Sequence, residues 1–275
     1  MDIVGATGGV DVSRGMAIEQ ASRRIFFGVA ALLFAASAAV TIARCASMST
    51  MGGMPMPGGW TMSMTWMRMP GQTWRGATVA FLGMWVAMMV AMMLPSLAPV
   101  LWRCRQAIGR AGNARPGRLA TIVGMGYFAV WTVFGMAAFA LGAALATIEM
   151  QQPALARGVP IAVGGVVLIA GALQFTAWKA RQLACCRNAP GHDRRLPVNV
   201  GMAWRLGLHC NLCCAGPTAV LLVIGVMDLQ AMAAVTAAIT LERLAPSGER
   251  VARTIGAIAI GAGLFLIASH VFALT

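Results

Sequence analysis

The residues best suited to chemistry form one short run, His209-Cys210-Asn211-Leu212-Cys213-Cys214, in which three thiols adjoin an imidazole. On a helix turning about 100° per residue, with His209 as the origin, Cys213 falls at about 40°, Cys210 at about 100° and Cys214 at about 140°. All four then share a face, and Leu212 points away. Thiolate and imidazole are soft and borderline ligands that bind Cu(I) and similar metals, and paired thiols also support redox chemistry. A lone buried cysteine is usually a small hydrophobe. Three within five positions beside a histidine are not accounted for in that way. One turn on, Gly216 and Pro217 occupy the same face. The proline leaves the Cys213 carbonyl without its helical donor, and the glycine lets a second helix come close.

The second group of soft donors is methionine, at 21 of 275 residues. Eight of these lie between Met48 and Met69, in MSTMGGMPMPGGWTMSMTWMRMPGQTW. Thioethers stay unprotonated at any pH and suit Cu(I) or Ag(I) outside a reducing compartment. Met-x-Met spacings occur at Met54 and Met56, Met62 and Met64, and Met67 and Met69. In an extended chain each pair directs both sulfurs to one side. The alternative is an apolar loop resting on a bilayer, with Trp60, Trp66 and Trp74 as interfacial anchors. Downstream, GMWVAMMVAMMLPSLAP places Met84, Met88 and Met92 in a stripe drifting by about 40° per step, with Met89 and Met93 about 140° and 180° from Met84. One stripe lines a path and the other packs. Pro95 and Pro99 remove backbone donors further along.

These residues sit in a chain that is 59% hydrophobic and 11% charged, against about 25% charged in a soluble domain. The fold expected is all-α: a polytopic transmembrane bundle of about seven spans. They fall near Ile25–Ala43, Gly76–Trp102, Leu119–Ile148, Val159–Trp178, Leu206–Val226, Leu229–Leu244 and Thr254–Leu274, each close to the roughly 20 residues that cross a bilayer. Residues 1–24 form a cytoplasmic tail and 25–275 a single domain, with the Met-rich outer loop at 44–75. The first segment reads as an uncleaved span, because its apolar run is long for a signal peptide. The sixth is short and ends in Glu242 and Arg243, so fifth and sixth also read as one re-entrant unit. With the N-terminus cytoplasmic, only Arg44, Arg68, Arg75 and Arg157 of the 21 basic residues lie outside. That asymmetry follows the positive-inside rule, puts the C-terminus outside and explains the net charge of +13 without nucleic acid. The location expected is a bacterial inner membrane. Cys104, Cys185 and Cys186 then join the α-helical thiols at the cytoplasmic end, where thiols stay reduced, and the methionines begin at the other. The glycines Gly164, Gly165, Gly171, Gly256, Gly261 and Gly263 read as helix-packing faces.

Three stretches, GMWVAMMVAMMLPSLAP, LQFTAWKARQLACCRNAP and GLHCNLCCAGPTAVLLVIGVMDLQAMAAVTAAITLERLAP, resemble a bacterial family of predicted metal-binding integral membrane proteins, domain of unknown function 2182. The resemblance implies metal binding and membrane location and names no reaction. It also implies cysteines three and seven residues after Lys179; here Gln182 takes the first position, Cys186 the second, and Cys185 is an additional thiol. The reading that follows is a protein handling Cu(I) or another soft metal, as transporter or membrane copper chaperone, between outer methionines and inner thiols. The candidate metal residues are His209, Cys210, Cys213, Cys214, Cys185, Cys186, Met84, Met88, Met92, Met54, Met56, Met62 and Met64. Expected partners are the lipid bilayer, the metal ion, and a copper-dependent membrane enzyme or soluble copper chaperone. The rivals are an assembly factor delivering copper to a membrane oxidase and a thiol-disulfide redox protein. No G-x-x-x-x-G-K-[ST] loop is present, so an ATPase engine is not expected, and no enzymatic role is assigned.

Overall fold

The computed structural model describes residues 5–49, 52–68, 71–110, 115–187 and 200–274, which form eight α-helices and one small hairpin. The helices are α1 (Gly5–Ser49), α2 (Trp74–Arg110), α3 (Pro116–Gln151), α4 (Pro153–Leu173), α5 (Ala177–Arg187), α6 (Val200–Ile224), α7 (Leu229–Leu244) and α8 (Gly248–Leu274). Local chemistry sets several boundaries. Pro116 and Pro153 occupy first-turn positions, where the missing N–H costs nothing. Asp228 caps α7 by accepting hydrogen bonds from the N–H groups of Gln230 and Ala231 at 2.8 and 2.9 Å. The chain breaks at Gln174–Thr176, and the Thr176 hydroxyl accepts from the Lys179 N–H at 3.2 Å to open α5.

Six helices, all but α5 and α7, are long and apolar enough to cross a membrane. The structure is therefore consistent with a multi-pass membrane protein. The sequence expectation of about seven spans differs at α7, whose 16 residues reach only about 24 Å. Its start nevertheless lies at one end of the bundle, next to Cys45 through Met227, and Arg243 near its finish lies at the opposite level, beside Cys210. It is a separate helix connected to α6 through Gly225 at φ 139°, a left-handed turn that favours glycine. The fold thus shows α6 and α7 as two helices joined by a tight turn, with only α6 of the two long and apolar enough to span.

Helix α2 is central. It packs against α1, α3 and α7, and its Trp85 is fully buried, donating to the Trp131 carbonyl of α3 at 2.9 Å. All five methionines, Met84, Met88, Met89, Met92 and Met93, are buried in the same core as Cys210, Cys213, Cys214 and Cys186. The division into one lining stripe and one packing stripe does not hold as a division of exposure, because α2 has neighbours on several sides. It also runs on without interruption through Pro95 and Pro99 to Arg110, two turns past the expected end. By contrast α1 meets chiefly α2 and leaves most of its apolar surface outward.

Helices α4 and α8 approach most closely, antiparallel, at facing glycines. A Cβ at Gly171 would stand 2.8 Å from the Gly256 carbonyl oxygen, and one at Gly263 2.8 Å from that of Gly164. The expected glycine packing face is thus real for these four, whereas Gly165 and Gly261 face open space.

At the end where α2 begins, strands β1 (Met54–Met56) and β2 (Trp60–Met62) pair antiparallel, Met54 opposite Met62 and Met56 opposite Trp60. Gly58 and Gly59 make the turn at φ 104° and 77°. Pleat alternation turns Met54, Met56, Trp60 and Met62 inward and leaves Pro55 and Thr61 exposed. Trp60 donates its indole N–H to the Ala156 carbonyl at 2.8 Å, and Trp66 lies tilted against Phe81 at 5.4 Å. These two tryptophans therefore fasten the hairpin to the bundle and are not free interfacial anchors; Trp74 is half exposed under Arg68.

Candidate metal centre

Helix α6 carries Cys210, Cys213 and Cys214 into the core, all buried, and α5 brings the buried Cys186 to them. The thiols are neighbours in series, Cys186 beside Cys213, Cys213 beside Cys214, and Cys214 beside Cys210. Into this group α7 inserts Arg243. Its Nη2 lies 2.6 Å from Cys210 Sγ, 3.6 Å from Cys214 Sγ and 3.7 Å from Cys186 Sγ. Nη1 donates to the Ser96 hydroxyl of α2 at 3.1 Å, and buried Nε has no partner. Tyr127 of α3 shares a 2.7 Å hydrogen bond with Cys210. Five helices thus meet at one sulfur cluster.

A second layer braces it. Lys179 and Glu242 form a buried salt bridge of 2.7 Å, with side chains 4% and 2% exposed. The Lys179 ammonium also donates to the Cys213 carbonyl at 2.7 Å. That carbonyl is the one Pro217 releases, so the proline creates the acceptor that the lysine fills. Gln174 Nε2 completes the set, donating to Glu242 Oε1 at 3.0 Å. The helix expected to come close at Gly216 is α4, where a Cβ would lie 3.3 Å from the Ala170 carbonyl.

The candidate residues divide accordingly. Cys210, Cys213, Cys214 and Cys186 come together. His209 stands at the margin, its Nδ1 2.9 Å from Gln182 Oε1. Cys185 is exposed and apart from the cluster, a correction to its inclusion with Cys186; the helical turn sends neighbours about 100° apart. Cys104 is buried on α2, eight residues beyond Ser96, or about 12 Å along the axis. Met54, Met56 and Met62 belong to the hairpin; Met64 and Met84 line a common cavity at that end, and Met88 and Met92 continue down α2. His192 and Met69 lie outside the described residues. Among the described residues, no group of three or more Cys, His, Asp or Glu stands in a closed metal-holding arrangement. Arg243 explains this, since its guanidinium takes the space between the sulfurs.

Arg243, Lys179, Glu242, Tyr127 and Ser96 were not singled out as site residues. A usable signal existed for the charged three: an ionisable group flanking or interrupting an apolar span is costly and is commonly functional. Counting them only as markers of orientation hid it.

The structure is a helical bundle with four thiols gathered in its core, and the comparisons give its family. Residues 82–266 match the family described as PpoB2, copper chaperone, and the chain belongs to that family. No curated protein and no solved structure matches it. The match spans α2 from its third turn through most of α8 and so contains the whole thiol cluster; the Met-rich hairpin precedes it. A copper-related role follows.

Proposed function

We propose that the chain is a membrane copper(I) chaperone of a bacterial inner membrane, which gathers Cu(I) at the methionine end and holds it at the thiol cluster for a copper-dependent enzyme. One observation carries this reading: Arg243, part-buried, directs its guanidinium inward so that Nε is fully buried without a partner and the near neighbours of the charge are thiols and a hydroxyl. The carboxylate of Glu242 is already paired with Lys179. A buried charge lacking a counter-ion is strongly penalised. Cu(I) bound by two thiolates carries net charge −1, with both thiol protons released, and would supply that counter-ion. Arg243 has no lone pair to offer, so its Nη2 draws back from between the sulfurs towards Ser96 as the metal enters, and Cys210, Cys213, Cys214 and Cys186 provide the ligands. His209 and Gln182 lie beside the cluster as a polar exit. The thiol end is the cytoplasmic one in this reading, which the arginine asymmetry supports. The column of buried methionines on α2 supports transport as the second reading, in which copper crosses between the two ends.

The test is copper retained by purified protein after competition with a Cu(I) chelator, measured by elemental analysis and normalised to folded protein. Serine keeps the size of cysteine but offers a hard, poorly acidic hydroxyl. Cys210→Ser with Cys213→Ser should abolish the tightly held copper, while Cys185→Ser should keep it. Retention in the parent should strengthen as pH rises through the thiol range, because binding releases protons. Equal copper in parent and double variant would overturn the assignment, and a metal-free parent with a cycling Cys210–Cys213 disulfide would establish the redox reading.

A further inference from the structure

At the opposite end of the bundle is a cavity of about 140 Å³ whose lining includes five methionines: Met48, Met64, Met67, Met84 and Met227. They come from four separate parts of the chain: the end of α1, the segment after the hairpin, the start of α2 and the α6–α7 turn. Beside them Cys45, buried near the end of α1, donates its S–H to Met227 Sδ at 3.8 Å. The fold thus brings six sulfurs to one place far from the thiol cluster.

Ordinary packing does not account for the arrangement. Methionine is the side chain that adapts to fill gaps. Here five of them surround a space several times the roughly 30 Å³ a water occupies in the liquid. The Cys45 thiol touches the Met227 thioether at 3.8 Å, which brings a thiol within reach of the cavity wall. A mainly thioether set with a single thiol selects a soft monovalent ion and rejects hard cations. Arg44 also lines the cavity, but its side chain is exposed and free to swing into solvent.

We propose that this cavity is a second soft-metal site, which deepens the reading above that Cu(I) is gathered at this end: Met227 on its wall and Cys45 behind it anchor Cu(I) or Ag(I), and one or two of the lining residues Met48, Met64, Met67 and Met84 complete a sphere of about three or four sulfurs. Its position gives it a role as the entry site. Met84 opens the buried series that continues through Met88 and Met92 towards Ser96, the residue that holds Arg243. From Met84 to Ser96 the helix rises about 18 Å. Met227 is likewise the last residue before the Asp228 cap of α7, whose far end enters the thiol cluster. The site stands whether or not the thiol cluster holds metal.

The experiment is an Ag(I) titration of the full chain in detergent, with elemental analysis of the desalted protein. Silver serves as a redox-inert probe. The parent should take up one more equivalent than Cys45→Ser with Met227→Leu, whereas Cys210→Ser with Cys213→Ser should lose a different equivalent and keep this one. Equal uptake by the parent and the Cys45/Met227 variant would overturn the second site. The thiol-cluster variant reports separately on the function proposed above. Because the Cys45/Met227 variant could lose its fold, the parent is also footprinted by methionine oxidation with and without Ag(I). Silver should protect Met227, Met48 and Met84 several-fold, leaving exposed Met125 on α3 unprotected. Oxidation of Met227 at the same rate in both conditions would overturn the proposal without any substitution.

Discussion

At the scale of single residues, the charges near the sulfur cluster explain why α5, α6 and α7 meet where they do. Lys179 is simultaneously an ion-pair partner and the donor to a carbonyl orphaned by Pro217. Removing one member of a buried pair costs about 3–5 kcal/mol, because the survivor remains charged and desolvated. Glu242→Gln is therefore expected to lower thermal stability by that order, read from unfolding in detergent, and to reduce copper retention by loosening α5 and α7. Lys179→Met combined with Glu242→Leu removes both charges and should recover part of the loss. Recovery stays incomplete, since the Cys213 carbonyl is left unsatisfied at about 1–3 kcal/mol. A double variant no more stable than Glu242→Gln alone would show that the pair is not what holds the helices. The thiols were legible as a cluster because helical spacing alone puts Cys210, Cys213 and Cys214 on one face. The partner that fills the space between them was not, because Arg243 is remote in sequence and reaches the cluster only through the α6–α7 turn.

At the scale of elements, the helix with its own capping signal was read to the residue: α7 begins after Asp228 and ends at Leu244, as expected. Helices α1, α2, α3 and α8 run longer than their apolar stretches, whereas α4 stops at Leu173, five residues short of the expected Trp178, because the chain breaks at Gln174–Thr176 and restarts as α5. Helix α2 continues through Arg103, Arg105 and Arg110, where hydropathy falls but hydrogen bonding persists and Arg105 Nη2 donates to the Ser22 hydroxyl of α1 at 2.6 Å. Hydropathy marks where a helix is buried in apolar surroundings, not where its backbone stops. The hairpin was missed for a different reason. Its turn signal, Pro57-Gly58-Gly59, lies within a segment whose methionines draw attention to ligands rather than to strand alternation. Of the glycine faces, only those that meet another backbone matter, and this distinguishes two variants. Gly171→Val must push α8 away and should destabilise by about 1–3 kcal/mol as an overpacked contact. Gly165→Ala points into open space and should be indistinguishable from the parent in the same thermal unfolding assay. Equal effects from the two would remove the α4–α8 glycine contact as a determinant of the bundle.

At the scale of the whole molecule, two sulfur-rich regions of different chemistry occupy opposite ends of one bundle, and the direction of the chain through it decides which faces the cytoplasm. Helix α3 runs parallel to α6, since Gly126 meets Ala203 and Tyr127 meets Cys210, while α4 opposes α8. The path alternates accordingly, and α7 must return the chain from the methionine end to the thiol end before α8 leaves again. If it does so across the bilayer, the N-terminus and the thiol cluster lie on one side, and the hairpin and C-terminus on the other. The basic residues select the sides. Among the described basic residues, only Arg44, Arg68, Arg75 and Arg157 belong to the methionine end, and the positive-inside rule then predicts that the thiol end is cytoplasmic. A dual reporter active in only one compartment checks each end. Inserted in the 188–199 connection it should read as cytoplasmic; inserted between Gly58 and Gly59, or fused after Thr275, it should read as extracytoplasmic. A cytoplasmic signal from the C-terminal fusion, with the other two as expected, would mean that α7 does not complete the crossing. Reversal of all three would place the thiols in the oxidising compartment, where four gathered cysteines would be driven towards disulfides and a thiolate copper site could not be maintained.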